Sequence, residues 1–126
     1  MSNALLVHEK AETNHPALGA LKKVNLECQA VTSINDALGA IAKSNKDKKP
    51  FEVVVLDTSA KESLDILKQI RSDEKATKNA PKSYVILITD KTESFMEAFN
   101  QGCDDYLLKP FTPDKLLLKI QNRKGS

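Results

Sequence analysis

Residues 51–57, Phe-Glu-Val-Val-Val-Leu-Asp, form a short apolar run that is β-branched at its centre and ends in a carboxylate. Such a run is too short for a typical helix and predicts a strand that is buried on both of its faces. Strands of this kind belong to parallel sheets covered by helices, and these sheets bind ligands at the carboxyl ends of their strands. Asp57 is therefore predicted to lie at the edge of the sheet where ligands bind.

Two further apolar runs end in a polar side chain in the same way. Residues 84–88 are followed by Thr89, and residues 106–108 are followed by Lys109. Because the carboxyl ends of parallel strands meet at one edge of a sheet, we expect a carboxylate, a hydroxyl and an ammonium group to converge there in a single crevice.

The segments around these three runs predict two more strands and several helix starts. The strands are predicted at residues 4–7 and 27–31. Helices are predicted to begin at Pro16, because proline suits a first helical turn, and after the capping residues Ser33 and Thr112.

Apolar side chains at helical spacing predict the remaining helices. Residues 64–70 carry one apolar face, and the i,i+4 pair Phe95 and Phe99 marks another helix, which Gly102 is predicted to end. The polar segment 72–83 is interpreted as a loop. Five strands thus alternate with five helices, which predicts an α/β fold of parallel strands joined by right-handed helical crossovers.

Length and composition are typical of one domain, predicted to span residues 1–126 with a core of about residues 4–123. The net charge of +2 is too small to predict nucleic-acid binding. No segment approaches the roughly 20 apolar residues of a membrane span, and no signal peptide is visible, so a cytoplasmic location without a membrane partner is expected. Cys28 and Cys103 are interpreted as small core residues.

Three motifs at the predicted strand ends resemble the receiver (CheY-like) domain of bacterial two-component response regulators. The motifs read Val-Val-Val-Leu-Asp57, Ile-Leu-Ile-Thr89 and Asp-Asp-Tyr106-Leu-Leu-Lys109-Pro110-Phe111. The resemblance covers essentially the whole chain and is most specific over residues 102–111. It implies a flavodoxin-like, doubly wound parallel sheet of five strands in the order 2-1-3-4-5, with five helices.

The resemblance also implies a role for each of four side chains. Asp57 would be the phosphoacceptor, which takes a phosphoryl group from a histidine kinase or a phosphotransfer protein. Lys109 would pair with the phosphoryl oxygens, and Thr89 would donate its hydroxyl to them. Tyr106 would be the aromatic switch behind Thr89, and the Lys109–Pro110 peptide bond would be cis. Such a protein is expected to be a signalling module and not an enzyme.

The predicted metal site departs from the family pattern. Receivers end their first strand with two adjacent acidic residues that hold Mg²⁺, but this chain has His8 and Glu9 there. The resemblance implies a metal shell of Glu9, Asp57 and the backbone carbonyl of Ser59, which lacks one carboxylate. Since Mg²⁺ prefers carboxylate oxygens, we expect weaker magnesium binding and slower phosphotransfer. His8 is interpreted as a strand-end imidazole bonded to solvent or to Glu9.

Two functions remain open at this point. The first is a receiver that works through phosphorylation of Asp57. The alternative is a phosphorylation-independent pseudo-receiver that acts as a protein-interaction module, which the missing acid and the short segment between Thr89 and Lys109 favour. A phosphoaspartyl hydrolase is disfavoured, because Ser59 stands where its second catalytic aspartate usually follows the nucleophile.

Leu118 predicts a contact with another protein. On a helix of 3.6 residues per turn it points away from the face formed by Leu116, Leu117 and Ile120. In the family this side of the domain, made of the fourth helix, the fifth strand and the fifth helix, often binds a second copy or an effector. An outward leucine suggests a homodimer or effector contact here.

Overall fold

The computed structural model describes residues 3–9, 15–78 and 81–123, so the two ends of the predicted domain lie outside the described residues. The strands are β1 (Asn3–Val7), β2 (Glu27–Val31), β3 (Val53–Leu56), β4 (Tyr84–Thr89) and β5 (Asp105–Leu108). The helices are α1 (Pro16–Lys23), α2 (Ile34–Lys46), α3 (Ala60–Ala76), α4 (Thr92–Asn100) and α5 (Pro113–Asn122). Within the described residues, no helix has both the length and the apolar character to cross a bilayer.

The five strands form one sheet in the order β2-β1-β3-β4-β5, and every neighbouring pair is parallel. This is the flavodoxin-like order, so the predicted fold class is confirmed. β3 lies at the centre of the sheet with β1 and β4 on its two sides. The carboxyl ends of these three strands therefore meet at one edge, and Asp57 follows the middle strand.

Each face of the sheet has its own apolar core, because side chains of a strand alternate between the two faces. The residues of β1 and β3 that pack with α2, α3 and α4 are Leu5, Val7, Val54 and Leu56. The residues of the same strands that pack with α1 and α5 are Ala4, Leu6, Val53 and Val55. The central strands are thus covered on both faces, as their continuous apolar runs predict.

The predicted helix ends are present at three positions. Ser33 Oγ accepts a hydrogen bond from the Asp36 N–H at 3.1 Å, and Thr112 Oγ1 accepts one from the Lys115 N–H at 3.3 Å. These side chains satisfy backbone donors that have no partner inside α2 and α5. Gly102, with a φ of +100°, directly follows the last turn of α4 in the left-handed region that glycine tolerates best.

The interpretation of residues 72–83 as a loop is wrong over its first part, because α3 continues to Ala76. Hydrogen bonds along the polar face hold this last section in helical form. Gln69 Nε2 donates to Asp73 Oδ1 at 2.8 Å, four residues on, and Arg71 Nη1 donates to Glu74 Oε1 at 2.8 Å, three residues on. The polar composition of residues 72–76 reflects a solvent-facing helix end and not a loop.

Candidate functional site

Asp57 lies directly after β3 and is almost completely buried, at 2% exposure. Its backbone N–H donates to the carbonyl of Val7 at 2.7 Å, which continues the pairing of β1 with β3 by one residue. Because Leu56 faces α2 and α3, alternation along the strand directs the Asp57 carboxylate to the side of the sheet covered by α1 and α5. The start of α1 lies on that side.

His15, the residue before α1, bonds to Asp57 with one ring nitrogen and caps the helix with the other. The Ala17 N–H donates to Nδ1 at 3.1 Å, so Nδ1 must carry a free lone pair. These partners assign the ring proton to Nε2, which donates to Asp57 Oδ2 at 2.6 Å. His15 therefore acts as a neutral donor to the carboxylate, and its side chain is fully buried.

Lys109 contacts the other oxygen of the same carboxylate. Its Nζ lies 2.7 Å from Asp57 Oδ1, and its side chain is 45% exposed. The Lys109 N–H donates to the carbonyl of Thr89 at 2.8 Å, and the Lys109–Pro110 peptide bond is cis. One carboxylate oxygen is thus held by an imidazole N–H and the other by an ammonium group.

The surroundings of Asp57 act on its pKa in opposite directions. Burial raises the pKa of the carboxyl, because it disfavours the charged form. The hydrogen bonds from His15 and Lys109, together with the positive charge of Lys109, outweigh burial and hold the pKa below its ordinary value. The group is therefore a carboxylate at neutral pH, which is the form that a phosphoryl acceptor requires.

This lowered pKa predicts a loss of stability in acid. Because the folded pKa of Asp57 lies below its unfolded value, the charged carboxylate stabilises the protein above about pH 4, and that contribution is lost as the pH falls through the folded pKa. The free energy of unfolding of the wild type minus that of Asp57→Asn should therefore decrease as the pH drops from 7 to 3. Urea unfolding of both proteins measures this signed difference, and a value that stayed constant or increased in acid would contradict this assignment.

A crevice of about 330 Å³ opens beside this pair at the same edge of the sheet. Its lining includes Glu9, Ser59, Thr89 and Lys109, but the buried Asp57 does not line it. The hydroxyl of Thr89 accepts a hydrogen bond from the Lys91 N–H at 3.2 Å and lies 3.3 Å from the Lys91 carbonyl. Thr89 thus shares the crevice with Lys109, while its hydroxyl is engaged with the start of α4.

The residues expected to hold Mg²⁺ do not form a cation site in this conformation. Among residues 3–9, 15–78 and 81–123, no group of three Asp, Glu, His or Cys side chains is arranged to hold a metal ion. Both Asp57 oxygens have a partner within 2.7 Å, and the Ser59 carbonyl accepts a hydrogen bond from the Ser63 N–H at 2.9 Å. In this arrangement the two Asp57 oxygens are occupied by an imidazole and an ammonium group, which leaves no place for a hydrated dication.

Tyr106 and His8 each contact another aromatic ring. The Tyr106 ring stacks on Phe95 of α4 with 4.3 Å between centroids, and Lys119 Nζ of α5 lies 5.7 Å from its centroid. His8 Nδ1 lies 3.0 Å from the carbonyl oxygen of Glu9, the neighbour with which it was expected to bond. The His8 ring also contacts that of His15, with 5.4 Å between centroids.

Comparison with known proteins agrees with this geometry. The family model described as the response regulator receiver domain matches residues 5–121. The response regulator ArlR of Staphylococcus epidermidis is 27% identical over 125 residues, which cover 96% of this chain and 52% of ArlR. The chemotaxis protein CheY-3 of Vibrio cholerae is 34% identical over 88 residues, which cover 68% of this chain and 65% of CheY-3.

Solved structures share the fold. A two-component response regulator from Clostridium difficile superposes with a TM-score of 0.74 at 21% identity, and all of both chains is covered. The chain spans about half the length of the curated relatives that it matches over most of its own length. Receiver domains are signalling modules whose standard function is to accept a phosphoryl group on an aspartate from a histidine kinase, and they generally bind Mg²⁺ at an acidic site. With the match over residues 5–121 and the strand order β2-β1-β3-β4-β5, the chain belongs to the response regulator receiver domain family of two-component signalling.

Proposed function

We propose that this chain is one cytoplasmic receiver domain in which Asp57 accepts a phosphoryl group from a histidine kinase or a phosphotransfer protein. The observation that carries the proposal is the contact between the Asp57 carboxylate and Lys109, whose Nζ lies 2.7 Å from Oδ1. Burial beside a cation gives a charged carboxylate with one ammonium group next to the oxygen that would attack phosphorus. Thr89 lines the crevice together with Lys109, and we propose that its hydroxyl contacts the transferred group.

The transfer is a substitution at phosphorus. Asp57 Oδ1 forms a P–O bond while the P–N bond to the donor imidazole breaks, and the imidazole leaves with the bonding electron pair and takes up a proton. Catalysis of such in-line transfer consists mainly of positioning and neutralisation of oxygen charge. Lys109 supplies the charge, and the Thr89 hydroxyl turns from the backbone of Lys91 toward the phosphoryl oxygens.

Movement of Thr89 would transmit phosphorylation of Asp57 to the packing of α4. Loss of the two contacts with Lys91 would free the start of α4, and Tyr106, which stacks on Phe95 of that helix, would follow Thr89 inward. Such a change shifts an equilibrium that already exists between two packings of α4. Glu9, Asp57 and the Ser59 carbonyl do not form a cation site in this conformation, and we propose that they would hold Mg²⁺ more weakly than is usual in the family.

The surface formed by α4, β5 and α5 is proposed as the contact with a second copy or an effector. Leu118 points outward as predicted, with 58% of its surface exposed. The other large apolar residues that are exposed on the same three elements are Met96, Phe99 and Leu108. Four exposed apolar side chains on these three elements favour a protein contact more than a lone surface leucine does.

The pseudo-receiver is the second candidate, and one observation favours it. Asp57 is 2% exposed and does not line the crevice from which a phosphoryl donor would approach. In this alternative the domain binds its partner with Asp57 permanently paired, and its interaction surface does not respond to phosphate.

Chemical phosphorylation separates the two candidates. Incubation with acetyl phosphate and Mg²⁺ should add the mass of one phosphoryl group, and peptide mapping should place it on Asp57. Asp57→Asn should take up no label. An unlabelled wild type at millimolar acetyl phosphate, with intact fold by circular dichroism, would leave the pseudo-receiver as the function.

A further inference from the structure

His15 does not belong to the motifs that carry the family resemblance, yet it makes the shortest hydrogen bond to the candidate phosphoacceptor. Its Nε2 lies 2.6 Å from Asp57 Oδ2, and both side chains are buried. A neutral donor at this distance from a carboxylate is a strong, charge-assisted hydrogen bond. The space beside Oδ2 is therefore filled by a ring and is closed to solvent.

Among the described residues, three further contacts hold the ring in this orientation. Nδ1 accepts the Ala17 N–H at 3.1 Å, which ties the imidazole to the first turn of α1. The ring packs against His8 on one side, with 5.4 Å between centroids, and against Phe111 on the other, with 6.0 Å. His15 cannot leave Asp57 by a simple rotation about its side-chain bonds, because the cap and both ring contacts would be lost as well.

We propose that His15 is a positioning residue that closes the phosphoacceptor, since its ring fills the place beside Asp57 Oδ2 that a hydrated divalent cation would need. This inference rests on the proposed function of Asp57. A hydrated cation reaches Asp57 Oδ2 only after His15 withdraws. Withdrawal also removes the cap of α1, so access to Asp57 is coupled to the start of that helix.

The position of the His15 ring explains why the groups around Asp57 leave no room for Mg²⁺. A hydrated Mg²⁺ ion keeps several waters and needs open space beside its carboxylate ligands. Here one Asp57 oxygen faces a buried imidazole and the other faces Lys109. The missing acid at position 8 weakens the cation site, and the ring of His15 closes it.

Two variants at position 15 separate the bond to Asp57 from the helix cap. His15→Asn keeps a side-chain oxygen that can accept the Ala17 N–H, but the shorter side chain does not reach Asp57. His15→Ala removes both contacts. Ser33→Ala is the matched control, because it removes the corresponding N-cap bond of α2 to Asp36 and leaves His15 in place.

A Mg²⁺ titration followed by the backbone amide signals of Glu9 and Ser59 gives the result. His15→Asn and His15→Ala should bind Mg²⁺ about ten- to a hundredfold more tightly than the wild type, the range that corresponds to loss of a competing hydrogen bond to a charged group. Ser33→Ala should bind like the wild type. Affinity in His15→Asn no higher than in the wild type would overturn the inference, even if His15→Ala bound more tightly, since loss of the cap would then be the cause.

A measurement on the wild type needs no substitution. The Nε2–H proton of His15 should be visible by NMR and protected from exchange with water, and it should lose that protection when beryllofluoride and Mg²⁺ saturate the site. Protection that persisted in the saturated protein would also overturn the inference. The proposed function of Asp57 can fail separately from this inference. If His15→Asn bound Mg²⁺ more tightly but took no acetyl-phosphate label at Asp57, the role of Asp57 as phosphoacceptor would be contradicted. The role of His15 in closing the site would still hold.

Discussion

Lys109→Met should slow the phosphorylation of Asp57 by acetyl phosphate about a hundredfold or more, the size of effect seen when one pre-positioned donor to a developing charge is removed. Lys109 Nζ lies 2.7 Å from Asp57 Oδ1, so the ammonium group is already in place beside the attacking oxygen before phosphorus arrives. Methionine has a similar length and flexibility but no charge. The rate is measured by the mass increase of the intact protein over time.

Lys91→Met is the matched control for this effect. Lys91 lines the same crevice and is the N-cap residue of α4, so its substitution makes the same change in charge close to the site. No ion pair between Lys91 and Asp57 is present among the described residues. We expect less than a tenfold change in the rate for Lys91→Met. Equal losses of phosphorylation rate in the two variants would mean that the crevice acts through its overall electrostatic potential and that Lys109 has no specific role.

The sequence was sufficient to predict the fold and the convergence of Asp57 with Lys109. Both follow from local patterns: apolar runs of strand length predict the sheet, and a polar residue after each run predicts the functional edge. The resemblance to receivers added a role to each residue. These signals are short-range and need only the order of the elements to become a three-dimensional site.

His15 could not be predicted in this way. It lies 42 residues from Asp57, and the contact depends on how the start of α1 is placed above the end of β3. The usual helix-capping residues are Ser, Thr, Asp and Asn, so a histidine before Pro16 is a weak signal for a cap and none for a bond to Asp57. A neutral ring that caps with one nitrogen and donates with the other is visible only when both partners are in place.

Arg71 was missed for a different reason. Arg71 directly follows the apolar face predicted over residues 64–70, so by sequence it lies near the end of a helix, where the helix dipole favours a cation. In the structure, α3 continues for five more residues to Ala76, and Arg71 points from the body of the helix to the opposite edge of the sheet from Asp57. Its role depends on segments that follow it by as many as 33 residues, which no local pattern reveals.

Replacement of Arg71 by Met should lower the free energy of unfolding by about 2–3 kcal/mol, somewhat less than the loss of one partner from a fully buried ion pair. The Arg71 side chain is 15% exposed. It donates to Asp104 at 2.8 Å, to the Gly102 carbonyl at 2.9 Å and to the Ser83 carbonyl at 3.0 Å. It therefore joins α3 to the segments that enter β4 and β5, and methionine would leave two carbonyls and the carboxylates of Asp104 and Glu74 without this donor.

Lys119→Met provides the comparison, because Lys119 forms a single ion pair with Asp105, 3.0 Å long and partly exposed on both sides. Exposed single pairs contribute about 1 kcal/mol or less, so this variant should lose much less stability in urea unfolding than Arg71→Met.

The effect of Arg71→Met on stability should be separate from any effect on phosphorylation. Since Arg71 acts at the edge away from Asp57, the folded fraction of Arg71→Met should take the acetyl-phosphate label at the wild-type rate. A slower labelling rate in fully folded Arg71→Met would show that the two edges of the sheet are coupled. Equal losses of unfolding free energy in Arg71→Met and Lys119→Met would show that the several hydrogen bonds of Arg71 contribute no more than one ion pair.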